Sequence, residues 1–228
     1  MWKEFVTVSG AWIQAVGTVI AAFATIEELT KEQYAKEKYE IAGNALQAIG
    51  NALQVIVQPG KSLEKMGGEL QALGNTSVII GVTLDIYEKD TINEVLEIVG
   101  NSLQSIGAGL AAIEELQDVV VSSQIEAIGN TLQSIGNGLQ ALQGIYNIED
   151  EQEEAQKEEG AKGTKEEELK EEKQELMKEN SNINGMNNKD KKEGKDETIG
   201  DAGSWIQAAG SVITAIGTTI GVEKKERK

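Results

Sequence analysis

The sequence predicts an all-α protein, an antiparallel bundle of six glycine-rich, heptad-repeat helices with one charged insert. Three observations predict it. Apolar residues recur at alternating steps of four and three, as in Ile92, Leu96, Val99, Leu103, Ile106, Leu110 and Ile113, a period that only a helix has. A unit reading G-N-x-L-Q-x-I-G returns six times with its two glycines always seven residues apart, the mark of a repeated supersecondary element. Residues 149–197 break the pattern with 18 acidic residues against 10 lysines, a net charge of -8.

The first helix is placed at 9–28, around GAWIQAVGTVI from Gly10. The second, 31–57, holds GNALQAIGNALQ from Gly43 and ends at Pro59-Gly60, a turn signal. The third, 61–86, opens with GGELQALGN from Gly67. Its second half, NTSVIIGVTLDIY, puts Ser77 on the apolar seam and Val78 and Ile79 off it, so a strand or an additional contact surface competes there. The fourth, 92–117, carries GNSLQSIGAGL from Gly100, and the fifth, 123–147, GNTLQSIGNGLQ from Gly129. The sixth, 201–221, carries GSWIQAAGSVI from Gly203. Thr30 with Gln33, Thr91 with Glu94 and Ser123 with Glu126 fit capping boxes at three helix starts. These elements divide the chain into a five-helix repeat domain, 1–148, an acidic Lys/Glu/Asn-rich insert, 149–198, and a sixth helix with a basic tail, 199–228. The sixth helix is expected to pack back on the bundle.

With Leu46 at heptad position a and Ile49 at d, glycine falls at e, asparagine at f, a small residue at g and glutamine at b. Read as a coiled coil in water, the Leu/Ile seam is the core, and the stripe of Asn44, Gln47, Asn51 and Gln54 is the outer face. Thirteen glycines hold the e position, among them Gly10, Gly50, Gly74, Gly100, Gly136 and Gly203. Each costs about 1 kcal/mol relative to alanine inside a helix, and the sum is comparable with the stability of a whole domain. Close backbone approach between neighbouring helices is the compensation the pattern predicts. Trp12 and Trp205 share position g, and both are expected to be buried where the sixth helix returns to the first.

Composition narrows function. The chain has no histidine and no cysteine, which removes disulfides, thiolate chemistry and His-based nucleophile pairs. A net charge of -17 opposes binding to nucleic acid. GAGLAA at Gly107 and GNGLQA at Gly136 imitate a dinucleotide fingerprint, but they lie inside helical repeats rather than after a strand. Glu27-Glu28 and Glu114-Glu115 lack the histidine that carboxylate metal sites in helical bundles use. No catalytic, cofactor-binding or metal-binding residue is therefore assigned, and the chain is read as non-enzymatic. The insert reads as a charged spacer.

Residues 5–26 and 202–222 carry no charge over 22 and 21 residues, about the length that spans a bilayer. Gln14 and Gln207 sit near their middles, and the other helices are more polar. The favoured reading is thus a cytoplasmic structural or protein-interaction module that self-associates or binds a protein partner. The alternative is a membrane-associated or membrane-active protein whose first and last helices insert into the bilayer or lie on it. Ala22-Phe23-Ala24 follows an apolar run as a signal-peptide cleavage site would, but residues 10–20 copy 203–213, which makes them a structural repeat.

The G-N-x-L-Q-x-I-G units, opened by A-W-I-Q-A-V-G-T-V-I, resemble a family of uncharacterised repetitive proteins from bacilli. The resemblance covers the six helices and leaves out residues 149–197. It implies a bacterial source and no activity, and it carries over no functional residue.

Overall fold

Each run of heptads forms one helix in the computed structural model, which describes residues 1–32, 34–175 and 193–226, and their side chains except at 158–175, 193–198 and 225–226. Among the described residues there are six α-helices and no strand: α1 Trp2–Ala22, continued by a 3-10 turn Phe23–Thr25, α2 Ala35–Val57, α3 Leu63–Tyr87, α4 Thr91–Glu115, α5 Val121–Glu175 and α6 Glu193–Glu226. The doubtful half of α3 is helical. Ser77 donates to the Leu96 carbonyl at 2.7 Å, and Val78 and Val82 are buried, so the off-seam residues form a second contact surface on α4.

The helix starts differ from the three capping boxes. Ser62 caps α3 by accepting from the Lys65 N–H, and Asp90 caps α4 by accepting from the Ile92 N–H. Asp118 accepts from the Val120 N–H and from the Ser123 hydroxyl just before α5. At α4 and α5 an aspartate one and five residues upstream of the expected Thr91 and Ser123 caps meets the free amides. The Thr30 box rests on Gln33, outside the described residues, and α2 starts at Ala35 after Tyr34 in the left-handed region, φ 61°. Gly60, φ +75°, turns the chain between α2 and α3, as the Pro-Gly signal predicts. α5 does not stop at 147 but runs on into the charged segment.

Consecutive helices pair as three antiparallel hairpins, α1–α2, α3–α4 and α5–α6, and α2–α3, α4–α5 and α1–α6 close them into a ring. Glycine holds each hairpin together. A Cβ on Gly10 would lie 2.7 Å from the Gly50 carbonyl, and one on Gly17 2.6 Å from that of Gly43. The same reciprocity joins Gly67 with Gly107, Gly74 with Gly100, Gly129 with Gly210 and Gly136 with Gly203. The predicted close approach of backbones is present in all three hairpins.

The expected core is not. The glutamines and asparagines assigned to the outer face are inside, and the isoleucines assigned to the core are outside. Gln104 and Gln133 are 2% and 1% exposed and are the largest fully buried side chains among the described residues, whereas Ile106 and Ile135 are 56% and 50% exposed. The geometry of the wheel explains the reversal. At 100° per residue, positions e, b and f fall on one face, a lies at its edge and d points away. Once the glycines at e set the hairpin contact, b and f must face the axis. The leucines at a are then half-buried between helices, and the buried apolar residues are mostly alanines such as Ala15, Ala108 and Ala215.

The sixth helix lies beside the first, with Val212 packed on Ala11 and Ala15 and Thr18 hydrogen-bonded to Ser211. Trp12 donates to Thr219 at 3.1 Å and Trp205 to Thr25 at 3.2 Å. Both rings nevertheless remain 41% and 43% exposed. The expectation that they are buried fails, because position g faces outward along with d.

Candidate functional site

The ring of hairpins surrounds an axis lined by amides. Gln14 of α1 donates through its Nε2 to Gln71 of α3 at 3.1 Å and to Gln133 of α5 at 2.8 Å. Gln207 of α6 donates in the same way to Gln47 of α2 at 2.8 Å and to Gln104 of α4 at 3.3 Å. One triad therefore joins the three odd helices and the other the three even ones, as an internal threefold arrangement of hairpins requires. Gln54 and Gln140 add a fourth member to each layer by donating to Gln14 and Gln207. The heptad places one glutamine per unit in phase with the glycines, so that closing the hairpins brings the amides together.

The two triads lie at different depths. Helical side chains lean toward their own N-terminus, so the amides of antiparallel partners diverge along the axis. Gln104 reaches the level of Gly74, where its Cγ is 2.8 Å from a Cβ built there, and Gln207 backs onto Gly136. Asn75 and Asn137, each the next residue after those glycines, flank this second layer and are each 1% exposed. In this layer both amide atoms of Asn75, Nε2 of Gln104 and Oδ1 of Asn137 are buried without a hydrogen-bond partner.

Carboxylates occupy both ends of the axis. At the end formed by the starts of α1, α3 and α5, Gln14, Gln71, Asn51, Glu64, Glu115 and Glu126 help line a cavity of about 50 Å³, room for a few waters. Glu115 accepts two bonds from the Asn130 amide, at 2.8 and 3.0 Å. Burial pushes its pKa up to about 9. The Asn130 bond opposes that shift, and Glu126, Glu64 and Glu114 reinforce it. At the opposite end burial raises Glu97 to about 8, with Glu40 and Asp85 adding to the shift and Lys36 opposing it.

Between these ends each helix has a charge-free stretch, at 5–26, 41–60, 70–84, 98–113, 127–148 and 202–222. The segments Trp2–Thr25 and Ile199–Lys224 are long and apolar enough to cross a membrane by length and composition. In the other four helices the amides lower the average hydropathy, yet those amides face the axis rather than the surface.

The sequence features weighed for chemistry have structural places. Gly107 and Gly136, from the two fingerprint-like strings, pack against Gly67 and Gly203. Glu27 and Glu28 are exposed, and Glu114 accepts from the Glu64 N–H at 2.6 Å. Among the described residues no group of three or more acidic side chains is arranged to hold a metal ion. What the sequence reading missed is the axis itself. Its signal was present as glutamine sharing one helical face with glycine, the face that must meet another helix.

No curated protein and no solved structure matches the chain significantly. The pattern of a family of unknown function, DUF6944, matches residues 5–164, from the second turn of α1 into the charged extension of α5. The match spans all three glutamine-bearing repeats of α1 to α3, both of α4 and α5, and most of the chain, which therefore belongs to the DUF6944 family.

Proposed function

We propose that the chain is a non-enzymatic, bilayer-embedded helical bundle that presents isoleucine to lipid and encloses an amide-lined axis. One observation carries this reading: across the charge-free belt the polar side chains point in and the large aliphatic ones point out. Ile49, Ile56, Ile106, Ile113, Ile128 and Ile135 are all at least half exposed. Large aliphatic side chains left exposed at successive heptads of α2, α4 and α5 are what a membrane or protein contact requires. The belt is shortest on α3, 15 residues at 70–84, or about 22 Å at 1.5 Å per residue. It reaches about 33 Å on α1 and α5, bracketing the ~30 Å hydrocarbon layer. The shorter hairpin costs only fractions of a kcal/mol per Å of mismatch. Glycine contacts and interhelical amide bonds are the forces that associate helices in lipid, where apolar burial supplies none.

Membrane fractionation of the full chain tests the reading. The protein should stay with the membrane through an alkaline carbonate wash and float with liposomes after purification in detergent. Release into the supernatant as a monodisperse, detergent-free species would overturn it in favour of a soluble module whose isoleucine faces meet protein.

A further inference from the structure

We propose that the axis binds monovalent cations and passes them across the bilayer, an inference that rests on the embedded reading above. The polar lining continues through the belt from the Glu115 cavity, past the Gln14, Gln71 and Gln133 triad and the Gln47, Gln104 and Gln207 triad, to the group around Glu97. The deep layer then contains four unpartnered amide atoms, the oxygens of Asn75 and Asn137, which can face a cation, and the nitrogens of Asn75 and Gln104, which can donate to its hydration water, and Asn75 is nearly inaccessible. Each such atom loses its hydration without return if nothing meets it. A dry apolar filling would have avoided that cost, so the layer is built for an occupant.

The chemistry of the lining selects the occupant. Neutral amide oxygens replace part of the hydration shell of a monovalent cation, as ring carbonyls do in selective pores. A divalent ion demands carboxylates at its centre, and the two triads contain none. Acidic side chains ring both ends, Glu64 and Glu126 around Glu115 on one side and Asp85 beside Glu97 on the other, and among the described residues no basic side chain lines the cavity at Glu115 to receive an anion. Glu115 and Glu97 themselves, held protonated near neutral pH by burial, offer carbonyl oxygens rather than charge. Both triads are hydrogen-bonded across the axis and close it. Passage therefore requires the glutamines to swing aside in turn, exchanging amide–amide bonds for amide–ion bonds.

The experiment reconstitutes the full chain into phosphatidylcholine vesicles loaded with potassium chloride and diluted into choline chloride, with a potential-sensitive dye outside. An inside-negative potential should develop about tenfold or more faster than in protein-free vesicles. Asn75→Leu combined with Asn137→Leu should slow it about tenfold while the thermal midpoint in detergent holds or rises, because unpartnered amides are replaced by apolar groups. Asn75→Ser, which keeps a polar atom in the layer, should retain part of the flux. Protein that floats with the vesicles yet generates no potential would overturn the cation path and leave the embedded bundle standing. A potential that follows a chloride gradient, or a double leucine variant that conducts like the parent, would also overturn the path. Failure to float overturns both readings.

Discussion

Two faces of the same helices differ more than any two helices do. On α4, Gln104 is 2% exposed and Ile106, two residues on, is 56% exposed; on α5 the pair is Gln133 and Ile135, at 1% and 50%. In water this arrangement forfeits about 1.5–3 kcal/mol for every aliphatic side chain left outside. It also buries amides whose hydrogen bonds return only about 1 kcal/mol each. In hydrocarbon the first loss vanishes, and an amide kept off the axis would face lipid unpaired. The comparison teaches that solvent, not sequence period, decides which stripe of an amphipathic helix is the inside. Glycine at e selects the rotation, and under the proposed embedded reading lipid makes that rotation stable.

The comparison breaks first on the outer face. Ile106→Lys with Ile135→Lys places two charges in the belt, each worth about +2.5–3.5 kcal/mol against insertion at the helix centre. The double variant should be lost from the carbonate-washed membrane fraction. In a soluble bundle two exposed lysines would be nearly neutral, so unchanged distribution and stability would count against the lipid-facing assignment.

Next in size is the contact that sets the rotation. A Cβ on Gly50 would lie 2.5 Å from the Gly10 carbonyl and 2.6 Å from the Gln14 nitrogen, both backbone atoms. Gly50→Ala should therefore destabilise by about 1–3 kcal/mol, and Gly50→Leu by more. Gly109 sharpens the contrast, since a Cβ there meets only the Ser134 hydroxyl at 3.4 Å. Gly109→Ala should be neutral or stabilise by up to ~1 kcal/mol. Thermal unfolding in detergent, followed by circular dichroism, measures both; a higher midpoint for Gly50→Ala would remove glycine packing as the organiser of the hairpins.

How much of this was readable beforehand follows from the same geometry. Six helices, the Pro59-Gly60 turn and the glycine contacts came from period, breaker residues and a stability cost that demanded compensation. The direction of the stripes did not, because Leu46 and Ile49 at a and d fit a water-soluble coiled coil as well as they fit a lipid-facing bundle with inverted rotation. The decisive clue, Gln47 in phase with Gly43 and Gly50, acquires meaning only when the partner helix supplies Gln207 from 160 positions away. The cavity at Glu115 was equally hidden. It needs Asn130, across the α4–α5 turn, and Asn51, from another hairpin.

Within the interior, Glu115 gives a pH test. Its pKa in the folded chain is raised from 4.5 to about 9, chiefly by burial. Between those values the folded state holds a proton that the unfolded state has released, so stability is greatest below about 4.5 and declines as pH climbs toward about 9. Glu115→Gln keeps a neutral side chain and should raise the midpoint at neutral pH and flatten its fall with pH. An unchanged slope would show that Glu115 does not carry the dependence. Smaller still, Gln133→Leu removes the acceptor for Gln14 and the donor to Asn130 and Thr214, and should cost about 1–3 kcal/mol through the partners left behind.

The smallest expected effect belongs to the two tryptophans that tie α6 to α1. Trp12 and Trp205 keep more than a third of their surface exposed while their indole N–H groups donate to Thr219 and Thr25. An apolar ring turned outward with its polar atom satisfied inward suits a lipid boundary better than water, and amphipathic rings concentrate where a bilayer meets polar groups. Trp205 also rests on Phe23, with ring centroids 6.3 Å apart, near the charged end of α1. Trp205→Phe keeps the ring and loses one hydrogen bond, so it should cost only about 0.5–1.5 kcal/mol. The more telling readout is spectroscopic. In a variant that retains Trp12 alone, with Trp2 and Trp205 changed to Phe, emission should be quenched by lipids brominated along their acyl chains. Quenching by aqueous iodide but not by bromolipid would put the ring in water and return the outer face to a protein partner.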